Sequence, residues 1–373
     1  MDRIPLIKPY MSEAVKTRVL AVLDSGFLTE GPVTREFERL VAEYVGARRV
    51  LATSSCTTGL ELALRCLGIG PGDEVIVPDY TYPATASAVN IVGATAVIVD
   101  VDPETLLIDY DALEAAVTEK TRAAMPVSLF GSPLDWDRLE DIKRRHGLFM
   151  IEDAACALGS SYKDRMTGAW ADVSVFSHHP RKFITTGEGG TVCTGNEYWA
   201  DWMESYKHFG LQSQGGRLSA SFVRVGTNYK MSDLLAAVGV EQMLRVDELL
   251  AERRRLAGRY AELFADVQGF EAPRLVSEGE HSWQTYCIFV DDRDEIMASL
   301  RGQGIEAQIG TYALHMHTAF QDNSLCRIEG DMRGSASAFA RTLALPLYQG
   351  MTEFQQRRVV EALARALRQH GNL

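Results

Sequence analysis

The chain of 373 residues is 46% hydrophobic and 24% charged, ordinary figures for a globular enzyme large enough for two domains. Its 50 acidic residues against 38 basic ones give a formal net charge of −12, and no dense Lys/Arg stripe is present, which argues against nucleic-acid binding. No apolar run reaches the ~18 residues of a membrane span, and the start, Met1-Asp-Arg-Ile-Pro5, lacks the apolar core of a signal peptide. Six cysteines without CxxC spacing point to reduced thiols in a cytoplasmic setting, with no disulfide framework or zinc site.

A helical pattern covers residues 11–24 and starts at Ser12. The turn Thr29-Glu30-Gly31-Pro32 separates it from a second helix over Val33–Tyr44. Arg49–Thr53 then reads as a strand, and Ser54-Ser-Cys-Thr-Thr-Gly59 leads into a helix over Leu60–Leu67. Small hydroxyl and glycine residues before a helix leave backbone N–H groups free at its positive end, which suits a phosphate or a plain N-cap. After the turn Gly70–Asp73 comes the strand Glu74–Val77, and then an aromatic-rich turn, Pro78–Thr85, which opens a helix ending near Val92. Strands over Ala94–Val99, Arg122–Val127 and Leu148–Ile151, with a helix over Leu134–His146, continue the alternation. Such a pattern without hairpin signals predicts an α/β fold whose mostly parallel sheet is covered on both faces. Ligands of such sheets bind beyond the carboxyl ends of the strands.

Glu152-Asp153 closes one of those strands. The strand Asp172–Phe176 ends in the loop Ser177-His-His-Pro-Arg-Lys182, and Gly187-Glu-Gly-Gly190 precedes a further strand, Thr191–Thr194. A lysine in this position can be an ordinary solvated loop residue. Together with an acid at a neighbouring strand end, it matches what pyridoxal phosphate requires. The amine condenses with the cofactor aldehyde, and the carboxylate keeps the pyridine nitrogen protonated.

Ile-Glu-Asp-Ala-Ala-Cys-Ala-Leu-Gly (151–159), followed by Phe-Ser-His-His-Pro-Arg-Lys-Phe-Ile-Thr-Thr-Gly-Glu-Gly-Gly (176–190), resembles the DegT/DnrJ/StrS family. The likeness runs from about Leu28 to the C-terminus. It implies a fold type I aminotransferase that uses pyridoxal 5'-phosphate and acts, as a homodimer, on nucleotide-linked keto sugars, usually with L-glutamate as donor. Carried over by position, it makes Lys182 the cofactor lysine and Asp153 the ring-nitrogen partner, with Tyr82 stacked on the ring. Thr57, Thr58 and Ser177 would hold the phosphate, and Asn228 would reach the phosphate of the neighbouring subunit. Thr29 would lie near the active site, chiefly as a turn residue. Three positions depart from the family wording. Lys230 stands where arginine is usual, Cys156 where glutamine or histidine is found, and Gly310–His315 replaces a His-Tyr wording. Of the adjacent His178 and His179, at most one can face the site.

The remaining chain reads as a helix over Glu197–His208, a polar loop over Gly210–Arg217, and a long helix capped by Ser232. From about Glu248 the pattern changes: a charged helix (Leu249–Val267), a strand (Tyr286–Asp291), a helix (Arg293–Gly302) and Ile305–Ile309 predict a smaller α+β domain. The expected division is 1–247 and 248–373. Arg253-Arg-Arg255 reads as a solvated helix face, and Leu343–Tyr348 matches the family's closing motif. Three rival readings are a sugar dehydratase of the same family, a fold type I cysteine desulfurase and a non-catalytic regulator. The dehydratase branch replaces the lysine with histidine, so Lys182 speaks against it. The desulfurase would use Cys326 on a polar loop. A regulator would have little use for Lys182 and Asp153 together.

Overall fold

The computed structural model describes residues 3–212 and 219–369. The N-terminal part runs α1 (Glu13–Ser25), α2 (Pro32–Val45), β1 (Arg49–Thr53), α3 (Cys56–Cys66), β2 (Glu74–Pro78), α4 (Ala84–Ile91) and β3 (Thr95–Val99). It continues through β4 (Thr121–Ala124), α5 (Trp136–His146), β5 (Phe149–Asp153), β6 (Val173–Ser177), β7 (Gly190–Thr194), α6 (Glu197–Lys207) and α7 (Asp233–Met243). The C-terminal part holds α8 (Val246–Leu263), β8 (Tyr286–Phe289), α9 (Arg293–Gly302), β9 (Gln308–Ile309), β10 (Cys326–Glu329), β11 (Thr342–Leu345) and α10 (Glu353–Gln369). Residues 213–217 of the expected polar loop lie outside the described residues; Leu211-Gln212, just before them, pairs with Ser221-Phe222.

Eight strands form the main sheet in the order β1-β7-β6-β5-β4-β2-β3-β10. Pairing from β6 through to β10 is parallel, while β7 runs antiparallel to both β1 and β6. The sheet is therefore mostly parallel, with an antiparallel pairing that strand–helix alternation did not signal. Its faces alternate residue by residue. Val75, Val77, Ala96 and Ile98 pack into a core with Leu60, Leu64 and Val89 of α3 and α4. Ile76, Val97 and Val99 pack on the opposite face with Trp136, Leu139 and Ile142 of α5. A third core, including Leu256, Ile288, Ile296, Leu343 and Leu363, builds the three-stranded sheet β8-β11-β9 and its helices.

Local chemistry explains the helix starts. Ser12 accepts from Val15 N–H at 3.3 Å, and Ser232 accepts from Leu235 N–H, so both expected caps are present. α2 has no side-chain cap of its own. Buried Asp233, the first residue of α7, accepts instead from Gly31 N–H (2.8 Å), Val33 N–H (3.2 Å), Thr34 N–H (2.9 Å) and the Thr34 hydroxyl (2.6 Å). The Thr29–Pro32 turn is thereby fixed to α7. Gly31 has no alternative there, because a Cβ would stand 2.8 Å from Asp233 Oδ2.

Two expectations fail here. Arg253 is buried and not on a solvated face. Its guanidinium donates to the carbonyls of Trp283 (2.6 Å), Gln284 (2.8 Å) and Leu347 (3.2 Å), and burial without a carboxylate pushes its pKa down to about 10. The run of three arginines looked solvated because its neighbours are, yet helical spacing turns one of the three inward. Cys326 is not on a loop. It opens β10, its thiol lies 3.3 Å from Asn90 Oδ1, and the strand pairs in parallel with β3.

Candidate active site

The carboxyl ends of β1, β5 and β6 border a cavity of about 700 Å³ lined by Cys56, Thr57, Tyr82, Asp153, Ser177 and Lys182, among others. Asp153 is the last residue of β5 and is buried. Its Oδ2 accepts from the Thr85 hydroxyl at 2.7 Å and its Oδ1 from Ala155 N–H at 3.1 Å. Burial pushes its carboxyl pKa up, opposed by the Thr85 and Ala155 hydrogen bonds and by the charge of Lys182. Glu152, pointing to the other side of the strand, is buried against the hydroxyls of Ser128 (2.6 Å) and Ser174 (2.9 Å). It clamps β5 beside β6, and this anchorage helps to hold Asp153 toward the cavity.

Lys182 ends the tight turn His179–Lys182, which its own N–H closes by donating to His179 O at 2.8 Å. Its Nζ donates to Cys156 Sγ at 3.0 Å. Burial works against the ammonium, but Cys156, Cys56 and Asp153 together hold the Lys182 pKa above its ordinary value. The lysine loop is fixed from several sides. Phe183 N–H donates to Gln284 Oε1 (3.1 Å), Thr185 N–H to Gln242 Oε1 (2.8 Å), and Thr186 N–H to His178 O (2.9 Å). Gly187 takes φ 89°, a left-handed turn that glycine adopts without strain.

The glycine–hydroxyl stretch begins a helix earlier than its sequence suggested. α3 starts at Cys56, with Ser55 as N-cap accepting from Thr58 N–H at 3.1 Å, and the Thr58 hydroxyl returning to Ser55 N–H at 3.1 Å. This capping box turns Thr58 back toward the helix start. Thr57 lines the cavity, and among the described residues no hydrogen bond occupies the N–H groups of Cys56 and Thr57. Gly190 lets β7 approach this point; a Cβ there would stand 2.7 Å from Cys56 N.

Tyr82 lines the cavity with its ring exposed, 6.2 Å from that of Tyr312. Of the histidine pair, His179 lines the cavity, 3.9 Å from Glu188, while His178 is buried with Nε2 3.0 Å from the Thr191 hydroxyl. Burial holds the His178 pKa down at about 4, so its ring stays neutral. Asn228 is exposed and lies outside the cavity, with Oδ1 accepting from Lys230 Nζ at 2.6 Å. Thr29 is also outside, its carbonyl accepting from Asp233 N–H at 3.3 Å. Cys326 is far enough round the fold that it contributes no lining atom.

Of the other wall, the sequence singled out only the Gly310–His315 stretch, and the rest was missed. Gln284, Gln308, Gly310 and Tyr312 from the C-terminal part close the cavity, as do Leu6 and Ile7 near the N-terminus. At Gly310 a side chain is barred by Tyr80 Oη, 2.5 Å from where a Cβ would stand. No spacing signal connects these residues to Lys182.

The residues suit pyridoxal phosphate. A lysine amine and a buried carboxylate share one cavity, and unbonded N–H groups at the start of α3 offer an anion cradle. Fold and site thus define an enzyme of the pyridoxal phosphate class. The structure superposes on the putative sugar aminotransferase Spr1654 from Streptococcus pneumoniae in its PMP form, with TM-score 0.92 and 30% identity over 99% of this chain and 100% of that one. It is similarly close to the aminotransferase TlmJ from Streptoalloteichus hindustanus, with TM-score 0.92 and 29% identity over 99% and 100% of the two chains. In sequence it is 35% identical, over 96% of each chain, to the spore coat polysaccharide biosynthesis protein SpsC of Bacillus subtilis. Residues 9–364 match the DegT/DnrJ/EryC1/StrS aminotransferase family, and the chain belongs to that family.

Proposed function

We propose that this enzyme transfers an amino group from an amino acid, L-glutamate foremost, to a nucleotide-linked keto sugar, in the making of a surface polysaccharide or natural product. The observation that carries this reading is the joint presence of Lys182, Asp153 and the α3 start in one cavity, within a sugar aminotransferase family. When bound, pyridoxal phosphate supplies the electron sink for breaking the bond to hydrogen at the amino-bearing carbon. Lys182 holds the cofactor covalently and, once released, moves that proton through its neutral amine. Asp153 keeps the ring nitrogen charged. Tyr82 covers the ring, and Thr57 and Ser177 hold the phosphate at the α3 start, with Thr58 supporting that start through the capping box. The test is incubation with L-glutamate and a panel of nucleotide-linked keto sugars, read by mass. A product in which an amino group and a hydrogen replace the keto oxygen is expected with at least one sugar, and no product with any donor and sugar would count against the reading.

The same reading makes the enzyme a homodimer with shared sites, divided within each chain into a cofactor-holding part, 1–247, and a closing part, 248–373. Asn228 is exposed and absent from its own cavity. The segments flanking it expose Phe209, Phe222, Val223 and Val225, apolar groups that a second subunit would cover. Mixing refolded Lys182→Ala and Asn228→Asp proteins tests this. If Asn228 serves the partner's cofactor, the mixed dimer contains one site free of both changes, and activity should exceed either parent. No recovery, with mixed dimers confirmed by mass, refutes sharing. A cytoplasmic location fits the six free cysteines and the lack, among the described residues, of a helix long and apolar enough to cross a membrane.

A further inference from the structure

Of the two cations in the cavity lining, Lys182 and Arg181, one has no acidic or thiol partner among the described residues. Asp153 is engaged by Thr85 and Ala155, Lys182 faces Cys156, and His179 and Glu188 lie 3.9 Å apart. Arg181, the remaining charged residue of the lining, has no ion pair among the described residues. Its one side-chain partner is the neutral Oε1 of Gln308 at 3.3 Å, so most of its five N–H donors are unused. Other arginines of this acidic chain find carboxylates readily: Arg18, Arg49 and Arg341 each sit between two.

The main chain at Arg181 is held in place. Gln284 Nε2 donates to Arg181 O at 2.7 Å, and buried Arg253 fixes Gln284 through its carbonyl at 2.8 Å. A permanently charged, planar fork is thus presented at the cavity directly beside Lys182, on an anchored turn, without a counter-ion. Guanidinium pairs with carboxylate and phosphate through two parallel hydrogen bonds. Both oxyanions belong to the substrates of the proposed reaction, the first to the amino acid and the second to the nucleotide-linked sugar.

We propose that Arg181 is a substrate-recognition residue that receives a carboxylate or phosphate oxyanion of the molecule reacting at Lys182. The proposal rests on the aminotransferase reading given above and deepens it. The experiment compares the wild-type holoenzyme with Arg181→Gln and Arg181→Lys, each checked for cofactor absorbance and melting temperature. One arm follows the change in cofactor absorbance on adding L-glutamate alone. The other measures equilibrium binding of uridine diphosphate and thymidine diphosphate by calorimetry. In Arg181→Gln, one arm should weaken by roughly 10- to 100-fold, the range expected for losing a charge-assisted hydrogen bond. The half-saturating concentration should rise by more than the limiting rate falls. Arg181→Lys should recover part of the loss. Weakening confined to the glutamate arm assigns a carboxylate, and weakening confined to the nucleotide arm assigns a phosphate. Both arms within twofold of the wild type overturn the proposal while leaving the aminotransferase reading intact. A wild-type enzyme silent to every probe overturns both.

Discussion

Lys182→Ala is expected to lower turnover by at least about a hundredfold to ten-thousandfold, the span attributed to a positioned proton-transfer group. The side chain has two tasks, holding the cofactor and carrying the proton, and alanine can perform neither. The fold should survive, because the loop is held by main-chain and glutamine contacts that do not involve Nζ. The variant should still bind the cofactor at the α3 start, but borohydride should no longer fix it to the chain. Peptide mapping of the borohydride-treated wild type provides the decisive check. A label on any lysine other than Lys182 would mean that the site has been read wrongly.

Asp153→Asn should cost roughly 3 kcal/mol of transition-state stabilisation, or about a hundredfold in rate. The amide is nearly the same shape and retains an oxygen to accept from Thr85 or Ala155. It has no negative charge with which to keep a ring nitrogen protonated. Burial already pushes the Asp153 carboxyl toward its neutral form, so a cationic partner in the cavity is what would restore its charge. A variant that melts like the wild type and turns over at a near-normal rate would remove Asp153 from that role.

What the sequence made legible was local. Ser12 and Ser232 cap as expected because a hydroxyl one position before a helix needs only its own next turn. Lys182 and Asp153 could be found because Asp153 ends one apolar strand and Lys182 lies in the loop after another, and parallel strands bring their carboxyl ends to one edge. What was not legible depends on remote parts of the chain. Arg253 reads as solvated until the carbonyls of Trp283, Gln284 and Leu347 fold onto it. The Cys326 segment reads as a loop because a four-residue edge strand carries too little periodicity to announce itself. Gln284 and Gln308 are ordinary polar residues by sequence, and only the packing of the C-terminal part brings them to the lysine loop. Thr58 shows a subtler case: its residue type suits a phosphate, but the capping box with Ser55 turns its hydroxyl back toward the helix start.

The contribution of β10 to the main sheet bears on how this chain emerges from the ribosome. Until Cys326–Glu329 has been synthesised, β3 is the border of the sheet, and the main-chain groups of Ala96–Val99 that face β10 have no ladder partner. An open border of Ala-Val-Ile-Val is a ready template for pairing with another nascent chain. The N-terminal part therefore cannot seal itself, however complete its own helices and strands, and must wait for a segment encoded more than two hundred residues downstream. Its exposure to aggregation during synthesis is set by translation time as much as by its own stability.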